Sequence, residues 1–208
     1  MSHTDILKYT DEQILEVVRQ LRIAYQLKRT LRYSTTRDLD THSESVAEHV
    51  FALFFLAEYF LPLEDPKKKI DIEKLHHIIL FHDFGEIPHG DVPYHLKTST
   101  DKDQEHEDAL SVFAELPPPL NELARDNWYA YKAQECLEAR FARALDKIEP
   151  VFELFNPINE QTIKRLKFTY HNHFEYKRKA AEGFPVITTF LEAVTRDMVA
   201  RDVFWKEE

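Results

Sequence analysis

Ile78-Ile79-Leu80-Phe81-His82-Asp83-Phe84-Gly85-Glu86 is an apolar run that closes on an adjacent imidazole and carboxylate, then a glycine and a glutamate. The pattern around it predicts a helix from Ile72 to about Phe84, started by Asp71 and closed at Gly85. Burying a polar group without a partner costs roughly 2–7 kcal/mol, and a charge costs more. A metal ion would remove that cost by taking up the lone pairs of both residues. The pair also has an ordinary reading, a satisfied core histidine beside a surface aspartate. The rest of the chain decides between the two.

The 208 residues include three glycines, Gly85, Gly90 and Gly183. So few glycines leave few tight turns, which disfavours a many-stranded β fold and favours helices. Neither G-x-G-x-x-G nor G-x-x-x-x-G-K-[ST] occurs, which sets aside the common dinucleotide and P-loop sites. Cys136 is the single cysteine, so an intramolecular disulfide and a thiolate zinc cluster are excluded, and a reducing compartment fits. Met1-Ser2-His3-Thr4-Asp5 lacks the basic start and apolar core of a signal peptide. The longest apolar run, Val50 to Leu61, is short for a bilayer and is broken by Glu58. A cytoplasmic protein with no membrane partner is expected. The formal net charge of −10 disfavours stable nucleic-acid binding, which needs a basic footprint, but permits a small anionic substrate in a local basic pocket.

Outward from the central run, the periodicity predicts helices over about 11–29, 45–60, 102–115, 118–132, 135–155 (kinked at Pro150), 160–182 and 187–203. Ser45-Val46-Ala47-Glu48 is a capping box at the head of the second, which is apolar on most faces and is expected to be the central buried helix. Residues 30–43 and 86–100 read as loops. No repeat, strand or linker is evident. The expected fold is all-α, a compact bundle of about seven to eight helices in one domain over residues 1–208. Helices over 159–204 are expected to pack on the part that carries the motifs, 27–155.

Three helices then offer polar groups from apolar surroundings: His49, the His82-Asp83 pair, and Asp146 within Phe141-Ala142-Arg143-Ala144-Leu145-Asp146-Lys147-Ile148. Singly, His49 reads as a residue of a capped first turn, and Asp146 as a surface partner of Arg143 or Lys147. Jointly they form the order H…HD…D.

That order resembles the HD-domain metal-dependent phosphohydrolases, most closely the branch of bacterial 5′-deoxynucleotidases and their eukaryotic HD-domain relatives. The strings that carry the resemblance are Glu44-Ser45-Val46-Ala47-Glu48-His49, Phe81-His82-Asp83-Phe84-Gly85-Glu86, Gly90-Asp91-Val92-Pro93 and Ala144-Leu145-Asp146-Lys147, and it covers about residues 27–155. It implies an HD-domain helical bundle and one divalent metal ion held by His49, His82, Asp83 and Asp146. Two imidazoles and two carboxylates form an N/O donor set, which suits Mn²⁺, Co²⁺, Fe²⁺, Ni²⁺, Zn²⁺ or Mg²⁺ without choosing among them. The resemblance also implies that Glu86 and Asp91 assist water activation and leaving-group protonation. Their ordinary readings are a helix-end carboxylate and a turn residue after Gly90.

The activity implied is hydrolysis of nucleoside 5′-monophosphates to nucleoside and phosphate. The alternatives are another phosphohydrolase of the superfamily, acting on a nucleoside triphosphate or a cyclic or signalling nucleotide, and a non-catalytic nucleotide-binding module. Phosphate needs a cation, and Lys28, Arg29, Arg32 and Arg37 form a basic cluster before His49, with Lys97 beyond the Gly90-Asp91-Val92-Pro93 turn. Arg32, Arg37 and Lys97 are the candidates for substrate binding. Thr35 stands where close relatives place a sugar-contacting tryptophan, a departure from the family. His89, His95 and His106 fall where some relatives bind a second metal, but their spacing does not match. His76, His77, His171 and His173 are expected not to be ligands. These enzymes often dimerise. Trp128, Trp205, Tyr129 and Tyr131 are candidates for a homodimer surface, with core packing as the plainer reading.

Overall fold

The computed structural model describes residues 7–21, 45–88, 97–116, 119–155, 160, 163, 164 and 167–206. Among these residues there are eight α-helices and no strand, as an all-α fold requires. They are α1 (Asp11–Leu21), α2 (Val46–Glu64), α3 (Ile72–Phe81), α4 (Ser99–Glu115), α5 (Leu120–Ala133), α6 (Leu137–Glu153), α7 (Tyr170–Ala180) and α8 (Pro185–Ala200). A 3-10 turn, Phe84–Glu86, follows α3.

The chain falls into two compact units, one of Met1–Lys69 with Arg143–Glu208 and one of Ile70–Ala142. In the first, α8 packs against α1, α2 and α7. Its core is built on Phe60, Phe152 and Phe190, with ring centroids 5.1–6.3 Å apart. Helix α2 contributes the stripe Ala52, Leu53, Leu56, Ala57, Phe60 and Leu63. The i, i+4 spacing of that stripe is why one face is buried. Phe51, on another face, is 46% exposed, so α2 is less enclosed than its composition predicts. Arg196 of α8 pairs through two nitrogens with Asp11 at the start of α1, at 2.7 Å each.

The second unit packs α5 against α3 and α4, and the 3-10 turn against α4. Phe81, Ala109, Phe113, Ala124 and Trp128 form its aromatic core, with Phe84 against it. Trp128 and Tyr131 are therefore core residues, whereas Tyr129 is 40% exposed. Gly85 sits where the turn meets α4. A Cβ there would come 2.6 Å from the Glu105 carbonyl oxygen, and the residue's φ is not positive. Gly85 thus serves close approach; it is not the left-handed cap expected of it, because α3 already stops at Phe81 with His82 as its cap.

Other boundaries differ for local reasons. Helix α2 begins at the predicted capping box, Ser45 with Glu48, but runs through Pro62 to Glu64. Pro62 and Glu58 both lie on an exposed side, where water can satisfy the Glu58 carbonyl that loses its helix donor. At 19 residues, α2 is long and apolar enough by length and composition to cross a bilayer, unlike the run Val50 to Leu61 within it. Its buried stripe packs as a core helix, a kind of helix that passes the same measure. Helix α4 starts at Ser99 because Thr98 and Asp101 make a second capping box. The helix expected over 160–182 is interrupted: Lys167 has φ 54°, and Thr169 caps a fresh start at Tyr170. Residues 22–29, the rest of the first predicted helix, lie outside the described residues.

Candidate metal centre

The site residues fall into two pairs, one in each unit. His49 lies in the first turn of α2, placed there by the Ser45 cap. Its Nδ1 is 2.9 Å from Oε2 of Glu149, and its Nε2 is 3.5 Å from Oδ1 of Asp146. Asp146 and Glu149 both come from α6. Three residues apart, they share one face of that helix. The side chains of His49 and Asp146 are 13% and 11% exposed, and Glu149 is fully buried. Lys147 holds the other carboxylate oxygen of Asp146, Oδ2, at 2.8 Å, and Arg143 bonds instead to the Tyr176 hydroxyl. Of the two ordinary partners for Asp146, Lys147 is real and Arg143 is not. Beneath them Lys177 donates its Nζ to the Lys147 carbonyl at 3.1 Å. Burial, with the nearby Lys147 charge, brings its pKa down to about 7, against the opposing pull of Asp146 and Glu149.

In the other unit His82 closes α3, with its ring buried and packed edge-on to Tyr131. Its Nδ1 is 2.8 Å from the Ile79 carbonyl, and its Nε2 is 3.1 Å from Oδ2 of Asp83. Glu86 ends the 3-10 turn, half-buried, and its backbone N–H donates to the Asp83 carbonyl at 2.9 Å.

The two histidines share one chemical logic. A carbonyl oxygen accepts a proton but cannot supply one, and a carboxylate does the same, so Nδ1 of each ring is the N–H. In that tautomer each ring presents the Nε2 lone pair to a carboxylate oxygen. Two lone pairs face each other at 3.1 Å in one pair and 3.5 Å in the other. A shared cation, a proton or a metal ion, is what makes such a meeting favourable. Ligand atoms about 2.1 Å from one ion lie about 3.0 Å apart at a right angle and about 3.4 Å apart at a tetrahedral angle. Both separations fit a divalent ion with N and O ligands.

Lys97 is described, and its ammonium is paired with Glu105, which also holds Lys132. Burial pushes the Glu105 carboxyl up, but the two lysines outweigh it and hold the pKa below the ordinary value. Arg32, Thr35, Arg37, His89, Asp91 and His95 lie outside the described residues. His106 is exposed, its ring between those of Trp128 and Tyr129. His173 is a core residue against Phe204. Sequence reasoning missed Glu149. Glu149 had a signal, its three-residue step from Asp146, but a glutamate on an amphipathic helix is ordinarily solvated.

Comparison with known proteins agrees with this pattern. The chain is 30% identical over 118 residues to 5'-deoxynucleotidase YGK1 of Saccharomyces cerevisiae, which covers 54% of this chain and 53% of that protein. It is 26% identical over 135 residues to 5'-deoxynucleotidase HDDC2 of Homo sapiens, 64% of each. The chain thus spans between about half and two thirds of the length of these curated relatives. A crystal structure of a predicted metal-dependent phosphohydrolase from Magnetospirillum magnetotacticum superposes with a TM-score of 0.66 at 25% identity, over 91% of this chain and 98% of that one. The HD-domain family model matches residues 24–188, through all four of His49, His82, Asp83 and Asp146, and the protein belongs to the HD-domain family.

Proposed function

We propose that the protein is a divalent-metal-dependent phosphohydrolase that converts nucleoside 5′-monophosphates to nucleoside and phosphate. The observation that carries this reading is the repeated pair: two histidines, each with Nδ1 on an oxygen acceptor and Nε2 against a carboxylate. The family match and the names of the relatives supply the reaction class. His49, His82, Asp83 and Asp146 hold the ion, within one HD-type domain spanning residues 1–208.

When bound, a divalent ion neutralises charge at the phosphoryl oxygens and lowers the pKa of water. The chain's own residues do the rest. In the hydrolysis, the oxygen of water bonds to phosphorus and the bond from phosphorus to the ester oxygen breaks. One proton leaves the water, and one reaches the nucleoside oxygen. Glu86 and Asp91 divide that proton work, one as base and one as acid. Arg32, Arg37 and Lys97 supply the cations for the phosphate, with arginine suited to two-point contact.

Phosphate release from a panel of nucleoside monophosphates, with Mn²⁺ or Co²⁺ added, tests this directly. Release from at least one of them is expected; none with either ion sinks the nucleotidase reading. Asp146→Ala is expected to lose bound metal and lower turnover at least ~100-fold, since a first ligand is gone. Full metal content and activity in that variant would remove Asp146 from the ligand set.

A further inference from the structure

The two histidines are oriented by different kinds of acceptor. His82 donates its Nδ1–H to a main-chain carbonyl, that of Ile79, at 2.8 Å. His49 donates to a side-chain carboxylate, that of Glu149, at 2.9 Å. Glu149 has 0% exposure, whereas carboxylates almost never bury fully unless paired. It sits one turn beyond Asp146 on the same helix, so α6 carries both a candidate ligand and the group that aims the neighbouring one.

We infer that Glu149 is a positioning residue of the metal centre: it fixes His49 as the Nδ1–H tautomer and turns Nε2 toward the ion. This rests on the metal-dependent reading above. A carboxylate does two things here that a carbonyl does only in part. It sets the ring orientation, and its negative charge makes the imidazole a stronger donor at the far nitrogen. Because Asp146 already places an anion at Nε2, a ring free to turn would bring its N–H there and lose the ligand lone pair. Glu149 removes that option, since a carboxylate offers Nδ1 only an acceptor.

The test uses the full chain and Co²⁺ alone, with titration calorimetry and the visible spectrum of the bound ion as readouts. Wild type is expected to bind one ion and His49→Ala to bind far more weakly. Glu149→Gln, which keeps the shape but drops the charge and can present an amide N–H to Nδ1, is expected to bind about 10–100-fold more weakly with an altered spectrum. An unchanged affinity and spectrum in Glu149→Gln, beside a weakened His49→Ala, overturns the role of Glu149 and leaves the metal reading standing. A wild-type protein that binds neither Co²⁺ nor Mn²⁺ overturns the metal reading, and this inference with it. If Glu149→Gln does not fold, nitrogen-15 NMR of the metal-free wild type decides instead. The His49 ring, assigned by its absence in His49→Ala, is expected to show a protonated Nδ1 with a strongly downfield proton; a protonated Nε2 overturns the inference.

Discussion

Glu64 shows how one half-buried carboxylate sets a pH dependence. It ends α2 and accepts the Ile187 backbone N–H at 2.8 Å, in the first turn of α8. Burial raises its pKa to about 7, against the lowering effect of the Ile187 and Val186 backbone bonds. Two effects compete: a helix N-terminus favours the anion by roughly 0.3–1 kcal/mol, and desolvation opposes it more strongly. Between its ordinary value of 4.5 and about 7 the folded state holds a proton that the unfolded state has released, so stability falls as pH rises through that window. Glu64→Gln keeps the acceptor without the charge. It should match wild type near pH 5 and exceed it at pH 8 by about 1–2 kcal/mol, a figure discounted for partial solvent contact. Urea melts at the two pH values measure this; a variant less stable at pH 8 would show that the helix terminus outweighs burial. Gly85 gives a second single-residue test. Its missing Cβ would meet the Glu105 carbonyl at 2.6 Å, and backbone cannot yield as a side-chain tip can. Gly85→Ala should cost about 1–3 kcal/mol by overpacking, and a melting curve like wild type's would refute the close approach.

Among the elements, the caps carry both stability and function. Ser45 and Thr98 make equivalent capping boxes, with bonds of 2.7 Å from each cap's N–H to Glu48 and Asp101. Replacing either with alanine should cost about 1 kcal/mol. Their effects on the site should differ, because His49 rides in the first turn of α2 while α4 carries no proposed ligand. Ser45→Ala should therefore weaken Co²⁺ binding several-fold and Thr98→Ala should not; equal effects would argue that the first turn of α2 stays ordered without its cap. The starts of these helices also show what the sequence makes legible. Ser45-x-x-Glu48 is a strong signal and gives the start of α2. Thr98-x-x-Asp101 is the same device with a shorter acid, and it falls at the end of a stretch whose sequence reads as loop. Breaks without glycine or proline are harder still. Lys167 takes a left-handed conformation that its residue type does not announce, so two helical segments read as one. Pro62, conversely, looks like a terminator but sits where water can replace the lost bond.

For the molecule as a whole, charge is the property most easily read. At a net −10 the chain should not bind double-stranded DNA measurably at about 0.15 M salt, because the overall charge repels the phosphate backbone and the basic cluster of Lys28, Arg29, Arg32 and Arg37 is small against it. A gel-shift titration checks this, and micromolar binding would contradict it. The all-α class follows from scarce glycine and helical spacing. The site was legible to different depths. His49, His82, Asp83 and Asp146 are polar groups in apolar runs, and it is their order H…HD…D, through the family resemblance, that proposes them as ligands. Glu149 did not stand out, because a glutamate on a solvated helix face looks identical in sequence; Lys147 was readable as the partner of Asp146 from its neighbouring position. The acceptor on His82 could not have been found at all, since every residue has a carbonyl and only the fold decides which one faces the ring.

That last contrast has a genetic side. The Ile79 carbonyl cannot be substituted; any replacement at position 79 still supplies the same oxygen, so the bond to His82 is lost only if α3 itself changes. Glu149 can become glutamine through one base change in its codon, and with it the donor strength of His49. On the proposed metal reading, the orientation of His82 is therefore insulated from mutation, and that of His49 is where variation among descendants of this chain would tune metal affinity while leaving every proposed ligand in place.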